Sequence, residues 1–375
     1  MKWQNGGSAG NNVAKRDVVV IGASAGGVEA LSTLMRALPA DLPASVLVVL
    51  HVPADGMSVL PRILSRAGPL PACHATDGQP IELGMIYVAP PDRHLTLERG
   101  QIRLTRGPRE NGHRPSVDPL FRSASRHYGP RVVSVVLSGS GDDGTAGMVV
   151  VRRSGGVGIA QEPKDAICSS MPVHACEVAR ADYCLPAAEM GELIGRLVQE
   201  EVEDVEPIDP QHGLPVPDEI RAEYQYTEQG VDPPSISGFT CPECGGRLWE
   251  IQEPEMVRYR CRVGHGYSPD SLLTSNSEAL EGALWAALNA LEEHASLTRR
   301  LARDAHSRSH QLTATRFEER AAATEHQATI LRRLLQTDQY SSSESILGSA
   351  GDADDASMTH ASRNISRPLP NAHGH

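Results

Sequence analysis

The chain has 375 residues, of which 40% are hydrophobic and 22% are charged, a composition typical of a globular protein with room for two domains. Its formal net charge of −12 argues against nucleic acid or an anionic membrane as a partner, because both require an excess of Lys and Arg. No run of about 18 apolar residues is present, and the first residues lack the apolar core of a signal peptide. We therefore expect a cytoplasmic protein that is not inserted in a membrane.

The first half of the chain alternates between short apolar runs and helix-like stretches, after a leader over residues 1–16 that we expect to be flexible. Runs rich in β-branched residues are typical of strands that are buried on both faces of a sheet. Strands are predicted at residues 17–21, 45–50, 85–89, 132–137 and 156–160, helices at 28–38, 119–127 and 145–154, and a hairpin over 92–104. This alternation indicates an α/β domain over residues 17–200 with a mostly parallel sheet.

The character of the sequence changes after residue 200. Acidic residues and Pro without apolar periodicity predict a linker over residues 201–237. A small unit containing Cys and Gly follows at 238–270, and leucines at helical spacing predict one long helix or two helices over 276–336. Residues 340–375 are poor in large apolar groups, which predicts a disordered tail.

The first predicted strand ends in Gly22-Ala23-Ser24-Ala25-Gly26-Gly27 and leads directly into a helix. This matches the G-x-S-x-G pattern of a nucleophile turn, in which the serine oxygen stands beside the free N–H groups of the following helix. A Gly-rich turn between strand and helix also binds phosphate, so nucleotide binding is the alternative. The pattern departs from G-x-G-x-x-G, however, and the acidic residue expected after the second strand is replaced by His51.

Two further triad residue types stand near strand ends. His51 directly follows the second strand, and Asp142 and Asp143 follow the fourth. Because the carboxyl ends of parallel strands form the ligand-binding edge of such sheets, we expect Ser24, His51 and one of the two aspartates to meet there. The structural alternatives are a core histidine and helix capping by the aspartates.

These motifs together resemble the catalytic domain of CheB, the chemotaxis protein-glutamate methylesterase and glutaminase. The resemblance rests on Ile21–Ala30, Leu50–Pro53, Tyr87–Pro91, Pro115–Asp118, Leu137–Met148 and Met171-Pro172. It implies a doubly wound, Rossmann-like sheet and a serine hydrolase with Ser24 as nucleophile, His51 as general base and Asp143 as the orienting carboxylate. It also implies hydrolysis of glutamate γ-methyl esters, and deamidation of glutamines, on the cytoplasmic helices of methylated chemoreceptors, with no cofactor for catalysis.

The same resemblance raises the questions of substrate binding and regulation. Arg109 and His113, in a loop rich in cations, and Met171, after the fifth strand, are the predicted substrate-binding residues. Family members with the chemotaxis architecture carry an N-terminal phospho-receiver domain, whereas about 16 residues precede the first predicted strand here. We therefore expect control by a regulatory partner or by the C-terminal region.

The Cys-containing unit has the spacing of a metal site. Cys241 and Cys244 form C-x2-C, and Cys261 and His265 form C-x3-H after sixteen intervening residues. Three thiolates and one imidazole predict a closed, tetrahedral, structural zinc site in a small zinc-ribbon-like unit, and idle or reactive thiols are the alternative. A non-catalytic signalling adaptor that acts through this unit and the helices remains the competing function.

Overall fold

The computed structural model describes residues 13–56, 58–98, 100–203, 235–252 and 255–336. Most of the predicted leader and linker, and all of the predicted tail, lie outside these residues. The chain divides into two compact units, residues 1–280 and 281–375. Within the described residues, no helix is long and apolar enough to cross a membrane.

The first unit contains the strands and most of the helices. The strands are β1 (Val13–Lys15), β2 (Val18–Ala23), β3 (Ser45–Leu50), β4 (Ala72–His74), β5 (Ile86–Val88), β6 (His94–Glu98), β7 (Gln101–Thr105), β8 (Val132–Val136), β9 (Val157–Gln161), β10 (Tyr183–Leu185), β11 (Glu201–Glu203), β12 (Ile236–Thr240), β13 (Arg247–Gln252), β14 (Val257–Cys261) and β15 (Gly266–Tyr267). The helices are α1 (Gly27–Ala37), α2 (Leu60–Ala67), α3 (Val117–Tyr128), α4 (Thr145–Arg153), α5 (Ser170–Glu177), α6 (Ala187–Leu197) and α7 (Pro269–Ser307), which continues into the second unit.

Seven strands form the central sheet in the order β10-β9-β8-β2-β3-β5-β4, and every neighbouring pair is parallel. The sheet is buried on both faces because successive side chains of each strand point to opposite sides. In β2, Val19 and Ile21 pack on the side of α1, α2 and α6. Val18 and Val20 pack on the side of α3, α4, α5 and the β6–β7 hairpin. The predicted parallel α/β sheet is confirmed, with helices on both faces.

The strand order places a topological switch at the centre of the sheet. The chain runs outward from β2 through β3 to one edge, and then returns to β8 and runs through β9 to the other edge. Parallel sheets bind ligands in the crevice at the carboxyl ends of the strands on either side of such a switch. The residues that follow β2, β3 and β8 therefore converge on one crevice.

A separate two-stranded ladder joins the beginning of this domain to its end. Val13 pairs with Glu203, and Lys15 pairs with Glu201, in antiparallel register. The last residues of the predicted flexible leader are thus part of a strand. Arg16 adds a hydrogen bond to Glu200 at 3.3 Å, so the segments on either side of the domain are held together.

The Cys-containing unit is a four-stranded antiparallel sheet in the order β12-β13-β14-β15. Its small core consists of Cys241, Leu248, Cys261, Tyr267 and Leu272. Two of these five core residues are Cys, so little apolar surface is available to stabilise the sheet, and small units of this kind usually depend on a metal.

The second unit is a pair of helices, formed by the end of α7 and by α8 (Gln311–Gln336). Ion pairs join Arg299 to Glu325 and His306 to Glu318, which fixes the two helices as antiparallel neighbours. The positions buried between them are mostly alanines: Ala295, Ala302, Ala305, Ala314, Ala321 and Ala328. Of the two predicted arrangements, one long helix is therefore wrong and two helices are found.

Candidate active site

Ser24 lies in the tight turn between β2 and α1. β2 ends at Ala23, Ser24 is half-buried, and α1 begins at Gly27. Gly26 has a φ of 71°, and a Cβ atom on it would lie 2.6 Å from Ile167 and from Ser138 Oγ. Only glycine fits both this backbone conformation and this close approach. The turn therefore has the strand-to-helix geometry that the G-x-S-x-G pattern predicts.

His51 directly follows β3, as Ser24 directly follows β2, and the two residues lie side by side at the end of the sheet. Ala23 and Leu50 are the last paired residues of β2 and β3, and the backbone N–H of His51 donates to Ala23 O at 3.1 Å. On the other side, Ser24 N–H donates to Ser138 O at 2.9 Å, which connects the turn to the segment after β8. Adjacent strands are about 4.8 Å apart, so both residues stand at one point of the sheet edge.

His51 and Asp143 form a buried hydrogen-bonded pair. His51 Nε2 lies 2.8 Å from Asp143 Oδ2, and the two side chains are 5% and 2% exposed. The other ring nitrogen, His51 Nδ1, is buried and has no hydrogen-bond partner among the described residues. An imidazole that donates from Nε2 to a carboxylate carries its lone pair on Nδ1, which is the form required of a general base.

Asp143 is held by more than its histidine. Its two oxygens accept hydrogen bonds from Asn111 Nδ2 at 3.0 Å, Ser116 Oγ at 3.0 Å, Val117 N at 2.7 Å and Asp118 N at 3.2 Å. The last two N–H groups belong to the first turn of α3, where the helix dipole favours a negative charge. Burial raises the pKa of Asp143, but the hydrogen bond and charge of His51 and the N–H of Val117 outweigh burial and lower the pKa below its ordinary value.

The neighbouring Asp142 points elsewhere. Its Oδ1 accepts a hydrogen bond from Ser268 Oγ at 2.6 Å, and burial raises its pKa to about 6. Helix capping was the structural alternative for Asp142 and Asp143, but another aspartate, Asp118, bonds to the start of α4. Asp118 Oδ1 accepts from Gly144 N at 3.1 Å and from Gly147 N at 2.7 Å. Of the two candidate aspartates, Asp143 is therefore the one that contacts His51.

The predicted substrate-binding residues are placed differently from one another. The His113 ring stacks on His51, with ring centroids 3.7 Å apart and planes 18° apart, while part of the ring stays open to solvent. Desolvation of the ring, followed by the nearby charge of His51, lowers the pKa of His113. Arg109 is exposed on the same loop. Met171 is fully buried against Gly139, which in turn lies against Ser24.

Several residues of this network were not predicted. Ser116 and Asp118 belong to one of the stretches that carried the resemblance, but nothing in their spacing indicated a contact with Asp143. Asn111 lies between Arg109 and His113 in the cation-rich loop, and nothing in the sequence distinguishes it from its neighbours. Ser268 lies beyond the predicted linker, and only the folded chain brings it near the crevice.

The four predicted metal ligands lie together. One ligand atom from each of Cys241, Cys244, Cys261 and His265 is within 4.8 Å of the others. Cys244 Sγ lies 3.7 Å from Cys261 Sγ, and His265 Nδ1 lies 3.4 Å from Cys261 Sγ. These separations agree with the edge of about 3.7 Å of a tetrahedron whose zinc–sulfur bonds are near 2.3 Å.

The second nitrogen of His265 has the partner that metal-binding histidines usually have. His265 Nε2 lies 3.2 Å from Glu243 Oε2, and such a carboxylate fixes the ring so that Nδ1 faces the ligand cluster. The backbone of both ligand loops closes on itself, since Gly245 N–H donates to Cys241 O at 2.8 Å and Gly264 N–H donates to Cys261 O at 2.9 Å. The donor set, its spacing and this outer carboxylate fit a tetrahedral metal ion.

Ser24, His51 and Asp143 follow three neighbouring strands at the switch point of a parallel sheet. This arrangement is typical of α/β serine hydrolases. Residues 19–194 match the family model described as CheB methylesterase. A protein of Leptospira interrogans, provisionally named a protein-glutamate methylesterase/protein-glutamine glutaminase, is 35% identical over 188 residues, which are 50% of this chain and 97% of that protein. The chain belongs to the CheB methylesterase family.

Other relatives are longer than the matching region. Protein-glutamate methylesterase/protein-glutamine glutaminase 2 of Methanosarcina mazei is 37% identical over 49% of this chain and 52% of its own length. The protein of the same name from Anaeromyxobacter dehalogenans is 40% identical over 50% of this chain and 54% of its own length. The chain thus spans about half the length of these relatives. The crystal structure of the Thermotoga maritima CheB methylesterase catalytic domain is 33% identical, with a TM-score of 0.47 over 49% of this chain and 100% of that domain.

Proposed function

We propose that the chain is a protein-glutamate methylesterase that hydrolyses glutamate γ-methyl esters and deamidates glutamines on chemoreceptors. The observation that carries the proposal is the buried pair of His51 and Asp143, in which Nδ1 of His51 has no partner among the described residues, together with the backbone bond from His51 N–H to Ala23 O, next to Ser24. The substrate class comes from the names of the relatives, two of which match this chain over about half of their length.

The proposed reaction is an acyl transfer in two steps. Ser24 Oγ attacks the γ-carbonyl carbon of the ester while His51 Nδ1 takes its proton, and Asp143 stabilises the resulting imidazolium. The bond to the methoxy oxygen breaks, and His51 returns the proton so that methanol leaves. Water then attacks the acyl-enzyme with His51 again as base, which releases glutamate and restores Ser24. With glutamine as substrate, ammonia leaves in place of methanol.

The oxyanion of each tetrahedral intermediate requires fixed donors close to Ser24. In the proposal these donors are the backbone N–H groups of Ala25 and Gly26, which lead into the first turn of α1. The N–H groups at the start of a helix lack partners within the helix and lie at its positive end. No metal takes part in this step.

Arg109 and His113 are proposed to contact the receptor. Arg106 and Arg114, on the same loop, both bond to Asp92, so each already has an acidic partner and the two share one negative charge. Arg109 remains exposed to attract an acidic helix, and His113 forms one wall beside His51. Met171 acts in this proposal only by packing under Gly139. Control of the activity would fall to a partner protein or to the region after residue 200.

We also propose that Cys241, Cys244, Cys261 and His265 hold a structural zinc ion. Zinc would stabilise the small β12–β15 sheet and would contribute no chemistry to the ester hydrolysis, because all four coordination positions are filled by the protein. The purified protein is expected to contain one zinc per chain by elemental analysis, and the Cys244→Ser variant much less. Equal zinc in both proteins would exclude this site.

The activity is tested by methanol release from a methylated receptor, with the wild-type protein beside Ser24→Ala. We expect release by the wild type and a loss of at least about 10⁴-fold in the variant, because the nucleophile is absent. Ser277→Ala is the control, since Ser277 is exposed on α7 and its hydroxyl bonds to Leu273 O at 2.9 Å within that helix. Full activity of Ser24→Ala would refute the proposed mechanism.

A further inference from the structure

The Cys/His unit packs directly on the loop that carries His113. Gly266, the residue after the ligand His265, pairs with Glu110 in a parallel β-bridge. Asn111 N–H donates to Gly266 O at 2.8 Å, and Gly266 N–H donates to Arg109 O at 3.3 Å. The strand that leaves the metal ligands therefore holds the backbone of residues 109–111 in place.

A buried ion pair network supports the same contact. Glu110 bonds to Arg122 of α3 at 2.5 Å and lies 3.6 Å from Arg258 of β14. Arg258 is 5% exposed and Glu110 9%. Charges so far removed from water require partners, and separation of the Cys/His unit from this loop would take Arg258 away from Glu110. The contact is therefore a built interface within the first unit.

Asn111 connects this interface to the proposed catalytic carboxylate. Its Oδ1 accepts from Ser268 N at 3.1 Å and from Ser271 Oγ at 3.0 Å, both on the Cys/His side. Its Nδ2 donates to Asp143 Oδ1 and to Asp118 Oδ2, each at 3.0 Å. An amide with donors at its oxygen and carboxylates at its nitrogen can adopt only one orientation. The side chain thus links the two parts of the unit through a single fixed group.

Two further contacts attach the Cys/His unit to other segments around the crevice. Ser268 Oγ donates to Asp142 Oδ1 at 2.6 Å, next to Asp143 in the chain. Asp270 lies 2.7 Å from His174 of α5, the helix that carries Met171. Residues within five positions of the ligand His265 therefore reach three separate segments of the catalytic domain.

We propose that the metal-bound Cys/His unit is a positioning element of the active site, and that Asn111 is the positioning residue through which it acts. The ligand His265 orders the segment to Ser268, this segment orients Asn111, and Asn111 holds Asp143 in line with His51. Loss of the metal then weakens the His51–Asp143 pair. The inference rests on the proposed function, in that Ser24 must be a reactive serine.

The test compares Asn111→Gly with Ser309→Gly in the full-length protein. Both residues have positive φ, 50° and 62°, so glycine preserves the backbone at each, and Ser309 lies in the loop between α7 and α8. The readout is the rate at which a fluorophosphonate labels Ser24, measured with zinc bound and after treatment with a chelator. We expect the chelator to slow labelling of the wild type and of Ser309→Gly about 10- to 100-fold, the effect typical of losing an outer hydrogen-bond partner of a site. Restoring zinc should recover the rate.

In Asn111→Gly, labelling of Ser24 should be slow even with zinc bound and should not change when zinc is removed. The reason is that the side chain linking the Cys/His unit to Asp143 is absent. Kinetics with an activated ester should show a lower kcat with KM unchanged within about twofold. A second readout is the downfield proton NMR signal of His51 Nε2–H, which should broaden in Asn111→Gly and in the zinc-free wild type. A purely structural role of Asn111 would leave this signal intact in the folded variant.

The outcomes separate this inference from the proposed function. If Asn111→Gly is labelled at the wild-type rate, or keeps the zinc dependence of the wild type, Asn111 does not transmit the effect and the inference is wrong. If Ser24 is labelled in no protein, the hydrolase itself is refuted. The NMR signal tests the positioning role of Asn111 even if no protein is labelled. An unchanged His51 signal in Asn111→Gly would show that Asn111 does not position the pair.

Discussion

Three aspartates share the crevice, and their surroundings give each of them a different charge preference. Asp143 accepts hydrogen bonds from His51 and four other donors, and its pKa is lowered. Asp118 and Asp142 are nearly as buried, and burial raises their pKa values to about 7 and about 6. The charge of Asp143 contributes to both increases. Of the three carboxyl groups, the one that faces His51 is therefore the most strongly held in its charged form.

Replacement of Asp143 by Asn is expected to reduce kcat about 10³- to 10⁴-fold, with KM changed little. The amide carries no charge to stabilise the imidazolium, and its NH₂ group favours the wrong tautomer of His51. Ester hydrolysis measures the effect, with the exposed Asp41→Asn as the control. A loss below about tenfold would mean that Asp143 does not orient the base.

Asp142 gives a testable pH dependence of stability. Its folded pKa of about 6 lies above the ordinary value of 3.8, so the protonated form stabilises the folded state. This contribution is fully present below about pH 4 and is lost as the pH rises through about 6. Asp142→Asn keeps an oxygen for Ser268 but cannot ionise. We expect the variant to be about 1–3 kcal/mol more stable than the wild type at pH 7 and equally stable at pH 4.

Urea unfolding at several pH values would measure this difference. The exposed Asp55→Asn serves as the control and should follow the wild-type profile. A difference between Asp142→Asn and the wild type that stays constant from pH 4 to pH 7 would show that Asp142 does not titrate in this window.

At the level of elements, the segment after β8 fixes how closely α5 approaches the Ser24 turn. A Cβ atom on Gly139 would lie 2.1 Å from Met171 Sδ and 2.8 Å from Ser24 Cβ. Met171 N–H also donates to Gly139 O at 2.9 Å, so the helix cannot simply move away. The close contact of β2, α5 and this segment therefore depends on the absence of a side chain at one residue.

Gly139→Ala is accordingly expected to lower stability by about 1–3 kcal/mol and to slow labelling of Ser24, because the added methyl group must displace either Met171 or the turn. Gly107→Ala is the matched control, since its nearest atoms would be 3.9 Å away. Thermal unfolding and fluorophosphonate labelling measure the two effects. A Gly139→Ala protein as stable as Gly107→Ala would contradict the packing described here.

The elements that the sequence predicts well are those with long apolar runs. β2, β3 and β8 are wholly buried, so their composition alone identifies them. The edge strands β4 and β10 escape prediction because each has three residues and is only partly buried. Sheet edges need no continuous apolar sequence, since one side of the strand meets solvent.

The same reasoning explains which site residues were predicted. Ser24 and His51 each follow a long strand directly, so the topology of a parallel sheet is enough to bring them together. Asp143 lies seven residues beyond β8, and the choice between it and Asp142 required the resemblance to a family. Asn111 and Ser268 meet across 157 residues of chain, and no local pattern records such a contact.

For the whole molecule, the β1–β11 ladder is the contact that closes the catalytic domain. We expect removal of residues 1–15 to lower the free energy of unfolding of this domain by about 1–3 kcal/mol, because the ladder and the hydrogen bond from Lys15 to Gln199 are lost. Removal of residues 1–12 leaves β1 in place and is the control. The crevice lies at the carboxyl ends of the central strands, whereas β1 precedes the amino end of β2. Labelling of Ser24 should therefore be unchanged in both proteins. Equal stability of the two truncations would show that the ladder contributes nothing.

The ladder also means that the catalytic domain begins and ends at the same place. Val13 lies opposite Glu203, so a short peptide could join them, and new termini could be opened in an exposed turn such as the one at Asp77 and Gly78. Domains with adjoining ends tolerate circular permutation and insertion into other proteins, because neither operation changes the internal contacts. Such a domain can be exchanged as a cassette between different neighbours during evolution. The matches to the relatives from Methanosarcina and Anaeromyxobacter cover about half of each of those proteins.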